Sequence, residues 1–193
     1  IAITDRGNMM GCFHFIKAIK NYNISIEEGS EKSKIKPIIG CELNVCSNHK
    51  DKSNRDDGYQ IVFLAKNKNG YKNLSKMCSI GYTEGFYYVP RVDRKIIEEY
   101  KSDLIVLSGN MYGEIASKLL NVGESQAEEA LIYWKNLFAD DFYLEMMKHG
   151  QEDEDRVNDT LLEFSKSHDV KIVPTNNSFY LNKEDANAHD ILL

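Results

Sequence analysis

Hydrophobic and polar residues alternate along this chain in blocks that predict strands and helices following one another. An apolar run at 1–3 ends in Thr4 and Asp5, and apolar residues then recur at helical spacing over 9–19. A second apolar run covers 36–45. This order predicts a strand, helix, strand unit in which buried strands deliver polar side chains at their ends.

The same cadence continues to the C-terminal end of the chain. Further strands are predicted at 61–65, 104–107, 142–146 and 171–174, and further helices at 71–82, 93–100, 113–120, 124–138, 153–168 and from 183 onward. The polar stretches 27–34 and 47–58 are predicted to be solvated loops. Strands alternating with helices predict a parallel sheet of five or six strands with both faces covered.

Two α/β architectures fit this pattern, a βα barrel and a doubly wound sheet. Because no glycine-rich phosphate-binding turn follows the first strand, we favour an incomplete or distorted βα barrel. The chain opens on a strand residue, Ile1, rather than on Met. We therefore interpret residues 1–193 as one domain whose first strand is missing.

Composition and charge narrow the classes of partner. No apolar run approaches the roughly 20 residues of a membrane span, so no membrane partner is expected. The net charge of -6 argues that this piece alone does not hold a nucleic-acid backbone, since that requires clustered Lys and Arg. Cys12, Cys41, Cys46 and Cys78 show no C-x-x-C spacing, which predicts reduced, buried thiols in a cytoplasmic protein.

Three further features have competing or unremarkable interpretations. Trp134 lies in an apolar helical stripe and is predicted to be a core residue. His49 lies in a polar loop and is assigned no function. Tyr87, Tyr88 and Arg91 form an aromatic and basic cluster that fits either a partner surface or a buried, hairpin-like loop.

Short motifs, in order over nearly the whole chain, resemble those of a known family. They are Thr4-Asp5-Arg6-Gly7, Pro37-Ile38-Ile39-Gly40-Cys41-Glu42, Gly70-Tyr71-Lys72-Asn73-Leu74, Glu84-Gly85-Phe86-Tyr87-Tyr88, Pro90-Arg91-Val92-Asp93, Phe142-Tyr143-Leu144-Glu145 with His149-Gly150, Thr175-Asn176-Asn177, and Ala188-His189-Asp190. Together they resemble the polymerase-and-histidinol-phosphatase (PHP) domain that begins the alpha subunit of bacterial DNA polymerase III.

This resemblance implies a distorted seven-stranded βα barrel of the metal-dependent hydrolase type, here truncated at its N-terminus. In active members, a cleft at the C-terminal ends of the strands holds up to three divalent metals, such as Zn²⁺ or Mn²⁺, and hydrolyses phosphoesters. Imidazoles and carboxylates hold these ions, which generate hydroxide near neutral pH. The resemblance also implies a C-terminal helix leading toward polymerase domains, where the parent protein would use Mg²⁺ for nucleotidyl transfer.

Several ligand positions of the family are altered in this chain. Where the family motif reads Thr-Asp-His, Arg6 places a permanent cation that would repel a metal. Gln60 stands where an active member has His, just before the 61–65 strand. Asn177 and Phe179 stand where the family has a carboxylate and an imidazole. These positions therefore offer a cation, amides and a benzyl ring in place of ligands.

Only Glu42 and His149 keep ligand chemistry at family positions, and Asp5 is a further candidate cleft residue. Because a catalytic zinc usually takes three ligands from its protein, we expect no catalytic residue, no metal and no cofactor in this fragment. Arg6 is expected to pair with Glu42 or Asp5, where a metal once neutralised them. A His-x-His pair on the missing first strand could restore one weak site.

The resemblance leaves three functions open. The first is a non-catalytic domain of a cytoplasmic DNA-directed DNA polymerase, which lies beside the thumb and palm of the same chain and docks the proofreading exonuclease subunit. DNA would then be contacted only through the parent protein. The second is an active metal-dependent phosphoesterase or 3'-5' exonuclease. A free-standing small-molecule phosphatase is disfavoured because 86–93 and 186–190 follow the polymerase branch.

Overall fold

Strands and helices alternate through the computed structural model, which describes residues 1–26 and 31–192. The strands are β1 Ala2–Ile3, β2 Ile38–Cys46, β3 Tyr59–Ala65, β4 Arg91–Asp93, β5 Leu104–Leu107, β6 Phe142–Met146 and β7 Lys171–Pro174. The α-helices are α1 Cys12–Ile24, α2 Lys68–Thr83, α3 Arg94–Tyr100, α4 Glu114–Asn121, α5 Glu124–Phe138, α6 Glu154–His168 and α7 Ala186–Leu192. Single 3₁₀ turns precede β6 and α7, at Ala139–Asp141 and Lys183–Asp185.

The strands form one curled, seven-stranded sheet in the order β1-β2-β3-β5-β6-β7, with β4 paired to β2. The α/β class is confirmed, and the curled sheet agrees with a distorted barrel. The prediction of a parallel sheet is wrong for β3, which runs antiparallel to both β2 and β5. No helix separates β2 from β3, so the chain returns directly through the 47–58 loop, and that connection makes neighbouring strands antiparallel.

Most predicted elements are confirmed, and α5, β6 and β7 have the predicted bounds. The predicted count of five or six strands was too low, because β4 has three residues of which two are charged. The 47–58 loop is largely exposed, as predicted, but His49 within it is 5% exposed. Of the predicted 27–34 loop, 27–30 lie outside the described residues, and 31–34 are exposed.

The core lies between the sheet and the helices that cover it. Phe63 on β3 and Trp134 on α5 are both completely buried, and their rings meet edge-on at 6.3 Å. Trp134 is therefore a core residue, as predicted, and the four cysteines are likewise buried and unpaired. Among the residues described, no helix combines the length and hydropathy that crossing a bilayer requires.

Candidate functional site

Arg6 and Glu42 meet at the rim of the sheet, where pairing between β1 and β2 continues past the end of β1. The Glu42 N–H donates to the Asp5 carbonyl at 3.0 Å, and the Gly7 N–H donates to the Glu42 carbonyl at 2.8 Å. This register sets the two side chains next to each other, with Arg6 Nε 2.8 Å from Glu42 Oε1. Of the two partners predicted for Arg6, the structure shows Glu42.

The ion pair lies half inside the protein. The Arg6 side chain is 52% exposed, whereas that of Glu42 is 10% exposed. Burial raises the pKa of the Glu42 carboxyl, and the adjacent Arg6 guanidinium opposes that rise. The Phe179 ring centroid lies 5.4 Å from Arg6 Cζ, so an aromatic face covers part of the guanidinium. Phe179 thus contributes to the cleft by packing on a cation.

A second buried carboxylate, Glu145 on β6, belongs to the same cleft and was not singled out from the sequence. Its Oε1 accepts a 2.6 Å hydrogen bond from Thr175 Oγ1. Among the described residues, Glu145 Oε2 is buried without a hydrogen-bond partner. Burial, followed by the charge of Glu42, raises the pKa of Glu145. The signal available in the sequence was its place in a resembling motif, since an apolar strand gives no sign of which carboxylate faces a cleft.

His149 has an oxygen atom near each of its ring nitrogens. Its Nε2 lies 2.9 Å from Asn176 Oδ1, and its Nδ1 lies 3.4 Å from Glu154 Oε1. The His149 N–H also donates to Glu154 Oε2 at 2.6 Å. Glu154 begins α6 and fixes the loop that carries His149. The Nδ1 contact with Glu154 is one that metal-binding histidines also make, whereas at Nε2 the oxygen of Asn176 occupies the place where an ion would approach.

A cavity of about 190 Å³ joins several of the predicted positions. Its walls include His149, Asn177 and Phe179 together with Glu145. The rest of the lining mixes apolar side chains such as Met147 with polar ones such as Asn158. The structure thus brings the late motif of the chain to the same cleft as β6, and Phe179 connects this cavity to Arg6.

The two remaining candidates lie at the margins of this cleft. Gln60 Oε1 accepts a 3.3 Å hydrogen bond from Asn110 Nδ2, and Asn110 lines the cavity. The Asp5 carboxylate lies against Gly11 at the start of α1, and the ion pair that Arg6 forms is with Glu42. Gln60 is therefore linked to the cavity through the side-chain amide of Asn110. Asp5 is not the ion-pair partner of Arg6.

These side chains, as they are placed, do not suit the divalent metals that the fold family implies. Glu42 is engaged by a guanidinium, which repels a further cation, and the oxygen of Asn176 occupies the approach to His149 Nε2. Within 1–26 and 31–192, no three His, Cys, Asp or Glu side chains converge as a metal-binding group. The donor set therefore does not match a catalytic metal centre, which needs several deprotonated ligands with free lone pairs.

Removing the guanidinium is expected to destabilise the protein through Glu42. We predict that Arg6→Ala lowers the free energy of unfolding by about 1–2 kcal/mol, because a largely buried carboxylate loses its partner while half-exposure of Arg6 limits the loss. Glu42→Gln in the Arg6→Ala background should recover part of that loss. Urea unfolding of both single variants and the double variant measures the coupling. Additive losses would contradict a stabilising pair.

Comparison with known proteins supports the resemblance. Residues 1–149 match the profile of the PHP domain. The whole chain aligns at 40% identity over 197 residues with 16% of the DNA polymerase III subunit alpha of Borreliella burgdorferi. It aligns at 37% identity with 16% of the protein of that name from Treponema pallidum, and at 36% with 15% of the one from Thermus aquaticus. The chain thus spans about a sixth of the length of these curated relatives, and on the family profile it belongs to the PHP domain family.

Proposed function

We propose that this chain is the PHP domain of a bacterial replicative DNA polymerase and that the domain itself is non-catalytic. The observation that carries the proposal is the ion pair between Arg6 and Glu42, with Nε and Oε1 2.8 Å apart. These residues occupy positions where the family resemblance places metal ligands. A guanidinium supplies there the positive charge that ions supply in active members.

The charge balance of the cleft explains how such a domain keeps its shape. Glu42 and Glu145 are 8% and 5% exposed, and two buried carboxylates without a counter-charge would repel each other. Arg6 neutralises one of them directly, and the raised pKa of Glu145 favours its neutral form. Protein groups thus offset much of the negative charge of the cleft, which suits a structural role.

The proposed partners are the thumb and palm of the same chain and the proofreading exonuclease subunit. Several large apolar side chains are exposed, among them Met10, Phe13, Leu181 and Ile191. Exposed apolar groups of this kind are typical of surfaces that other protein covers. The net charge of -6 supports DNA contact only through the parent protein. The family resemblance is the ground for placing that protein in the cytoplasm and Mg²⁺ in its polymerase domain.

The domain boundaries form part of the same proposal. β1 and β7 end the main strand order, so a further strand pairing with both would close the barrel. We assign that place to the family's first strand, and we assign α7 the role of leading into the polymerase domains. A His-x-His pair on that strand would restore one weak metal site.

The test uses the full natural protein, purified without chelators. Elemental analysis for zinc and manganese is expected to find substoichiometric metal, and a 3'-labelled single strand should survive incubation with Mn²⁺ or Zn²⁺. A matched variant, Arg6→His with Gln60→His, Asn177→Asp and Phe179→His, restores the family chemistry and is expected to gain metal. Stoichiometric metal in the wild type, with hydrolysis abolished by Glu42→Ala, would establish the phosphoesterase or exonuclease alternative instead.

A further inference from the structure

Two buried thiols from different elements of the fold lie side by side. Cys41 is on β2 and Cys78 is on α2, and their sulfur atoms are 3.5 Å apart. Cys41 is fully buried, and Cys78 is 8% exposed. The two residues are 37 positions apart in the sequence, so their proximity is a product of the fold.

The two sulfur atoms need to move only a short distance to form a covalent bond. A disulfide requires a sulfur separation of about 2.05 Å, which the pair reaches by a combined movement of about 1.5 Å. Both thiols lie on regular elements and belong to one core cluster, so rotation of the two side chains is the movement that would bring the sulfur atoms together.

We propose that Cys41 and Cys78 form a dithiol that a small hydroperoxide closes to a disulfide, tying β2 to α2 directly beside Glu42. The Cys78 sulfur, the more accessible of the two, attacks the hydroperoxide, whose O–O bond breaks to give a sulfenic acid and an alcohol, or water from hydrogen peroxide. The Cys41 sulfur then displaces the hydroxyl group of that sulfenic acid as water, with its own proton. The two thiols lose two electrons, and the peroxide gains them.

The other two cysteines provide internal comparisons. The Cys46 thiol donates to the Val92 carbonyl at 3.4 Å and is 4% exposed, so it is held apart from the pair. Cys12 is 5% exposed and lies near Cys78, which makes it the competing partner. The 3.5 Å contact between Cys41 and Cys78 favours their pairing over one that includes Cys12.

Closing the pair should stabilise the domain measurably. The disulfide would enclose the residues between positions 41 and 78, and constraint of the unfolded chain by a loop of this length predicts a rise in melting temperature of roughly 5–10 °C. The rise should vanish on reduction. Because disulfides in reducing compartments are usually transient and redox-sensing, a bond that forms and reverses in this way fits a cytoplasmic protein.

The test treats the full natural chain with hydrogen peroxide and then blocks free thiols before non-reducing peptide mapping. The expected result is a linked peptide pair containing Cys41 and Cys78, lighter by two hydrogen atoms and released by dithiothreitol. Cys46→Ser should give the same linkage, whereas Cys78→Ser should abolish it. Mapping of the wild type alone decides the question if Cys78→Ser fails to fold. Retention of both thiols in reduced form, or linkage of Cys78 to Cys12, would overturn the proposal.

Discussion

Replacing Arg91 with alanine is expected to lower the free energy of unfolding by about 3–5 kcal/mol. The side chain is 1% exposed and donates to four backbone carbonyls. Its Nε donates to Gly85 at 3.1 Å and its Nη1 to Asp56 at 2.9 Å. Its Nη2 donates to Asp51 at 2.8 Å and to His49 at 3.3 Å. Truncation would leave these acceptors without their donor in a closed site.

The size of this effect follows from what Arg91 joins. Arg91 lies on β4, and its guanidinium donates hydrogen bonds both to the 47–58 loop and to Gly85, which holds these two segments together. The Tyr87 ring adds a face 5.4 Å from Arg91 Cζ. Because a planar fork of donors reaches carbonyls in different directions, Arg91→Lys should recover less than half of the loss. A lysine has one ammonium group and cannot span the same acceptors.

Arg55, in the 47–58 loop that Arg91 contacts, provides a matched control. Arg55 pairs with Asp57 at 2.7 Å and packs on the Tyr88 ring, but its side chain is 62% exposed. Arg55→Ala should therefore change stability by less than about 1 kcal/mol. Unfolding in guanidinium chloride gives the free energy of unfolding of each variant. Limited proteolysis should show faster cleavage within 47–58 only for Arg91→Ala. Equal losses for the two arginines would show that burial of Arg91 is not the cause.

The Arg91 site also shows where interpretation of the sequence stops. The cluster of Tyr87, Tyr88 and Arg91 fitted either a partner surface or a buried, hairpin-like loop. The structure confirms the second for Arg91, with Tyr87 and Val89 forming a short antiparallel bridge, while Tyr88 remains 61% exposed. An arginine that is satisfied by backbone carbonyls from a distant loop leaves no side-chain pattern, because any residue supplies a carbonyl.

Periodicity predicted the elements of the fold better than their directions. The apolar run at 142–146 and the apolar stripe at 124–138 correspond to β6 and α5 with the predicted bounds. These bounds were predictable because an element with one buried face repeats its apolar residues at a fixed spacing. The antiparallel direction of β3 was missed, since an apolar strand has the same composition whichever way its neighbours run. The absence of a predicted helix in 47–58 was the clue that a direct return was available.

Some residues of the candidate site were predicted from the sequence, and others were not. The resemblance offered Glu42 or Asp5 as the partner of Arg6, because a metal would have neutralised them in the family, and the structure shows Glu42. Glu145 was missed because nothing in an apolar strand distinguishes a carboxylate that faces a cleft. His49 was treated as a loop residue, yet its Nδ1 lies 2.6 Å from Asp93 Oδ2 inside the fold. An altered ligand position is readable from a motif, whereas burial of a polar group depends on long-range packing.

A comparable loss of stability is expected at the aromatic centre of the core. Trp134→Ala should lower the free energy of unfolding by about 3–5 kcal/mol, because it empties a fully buried site. The indole stacks on Phe138 at 6.1 Å and meets Phe63 edge-on at 6.3 Å. Its Nε1 donates to Glu114 Oε2 at 2.9 Å, so the ring also anchors a buried carboxylate.

Trp134→Phe separates packing from hydrogen bonding at this position. The phenyl ring fills most of the volume but cannot donate to Glu114, which still accepts from Arg94 at 2.7 Å and Lys118 at 2.8 Å. Because Glu114 keeps both cations, the loss should be only about 1–2 kcal/mol.

Ile132→Ala, at a residue of the same helix that is 41% exposed, should cost less than about 1 kcal/mol. Urea unfolding followed by circular dichroism measures all three variants. If Trp134→Phe proved as damaging as Trp134→Ala, the hydrogen bond to Glu114, rather than ring packing, would be the dominant contribution.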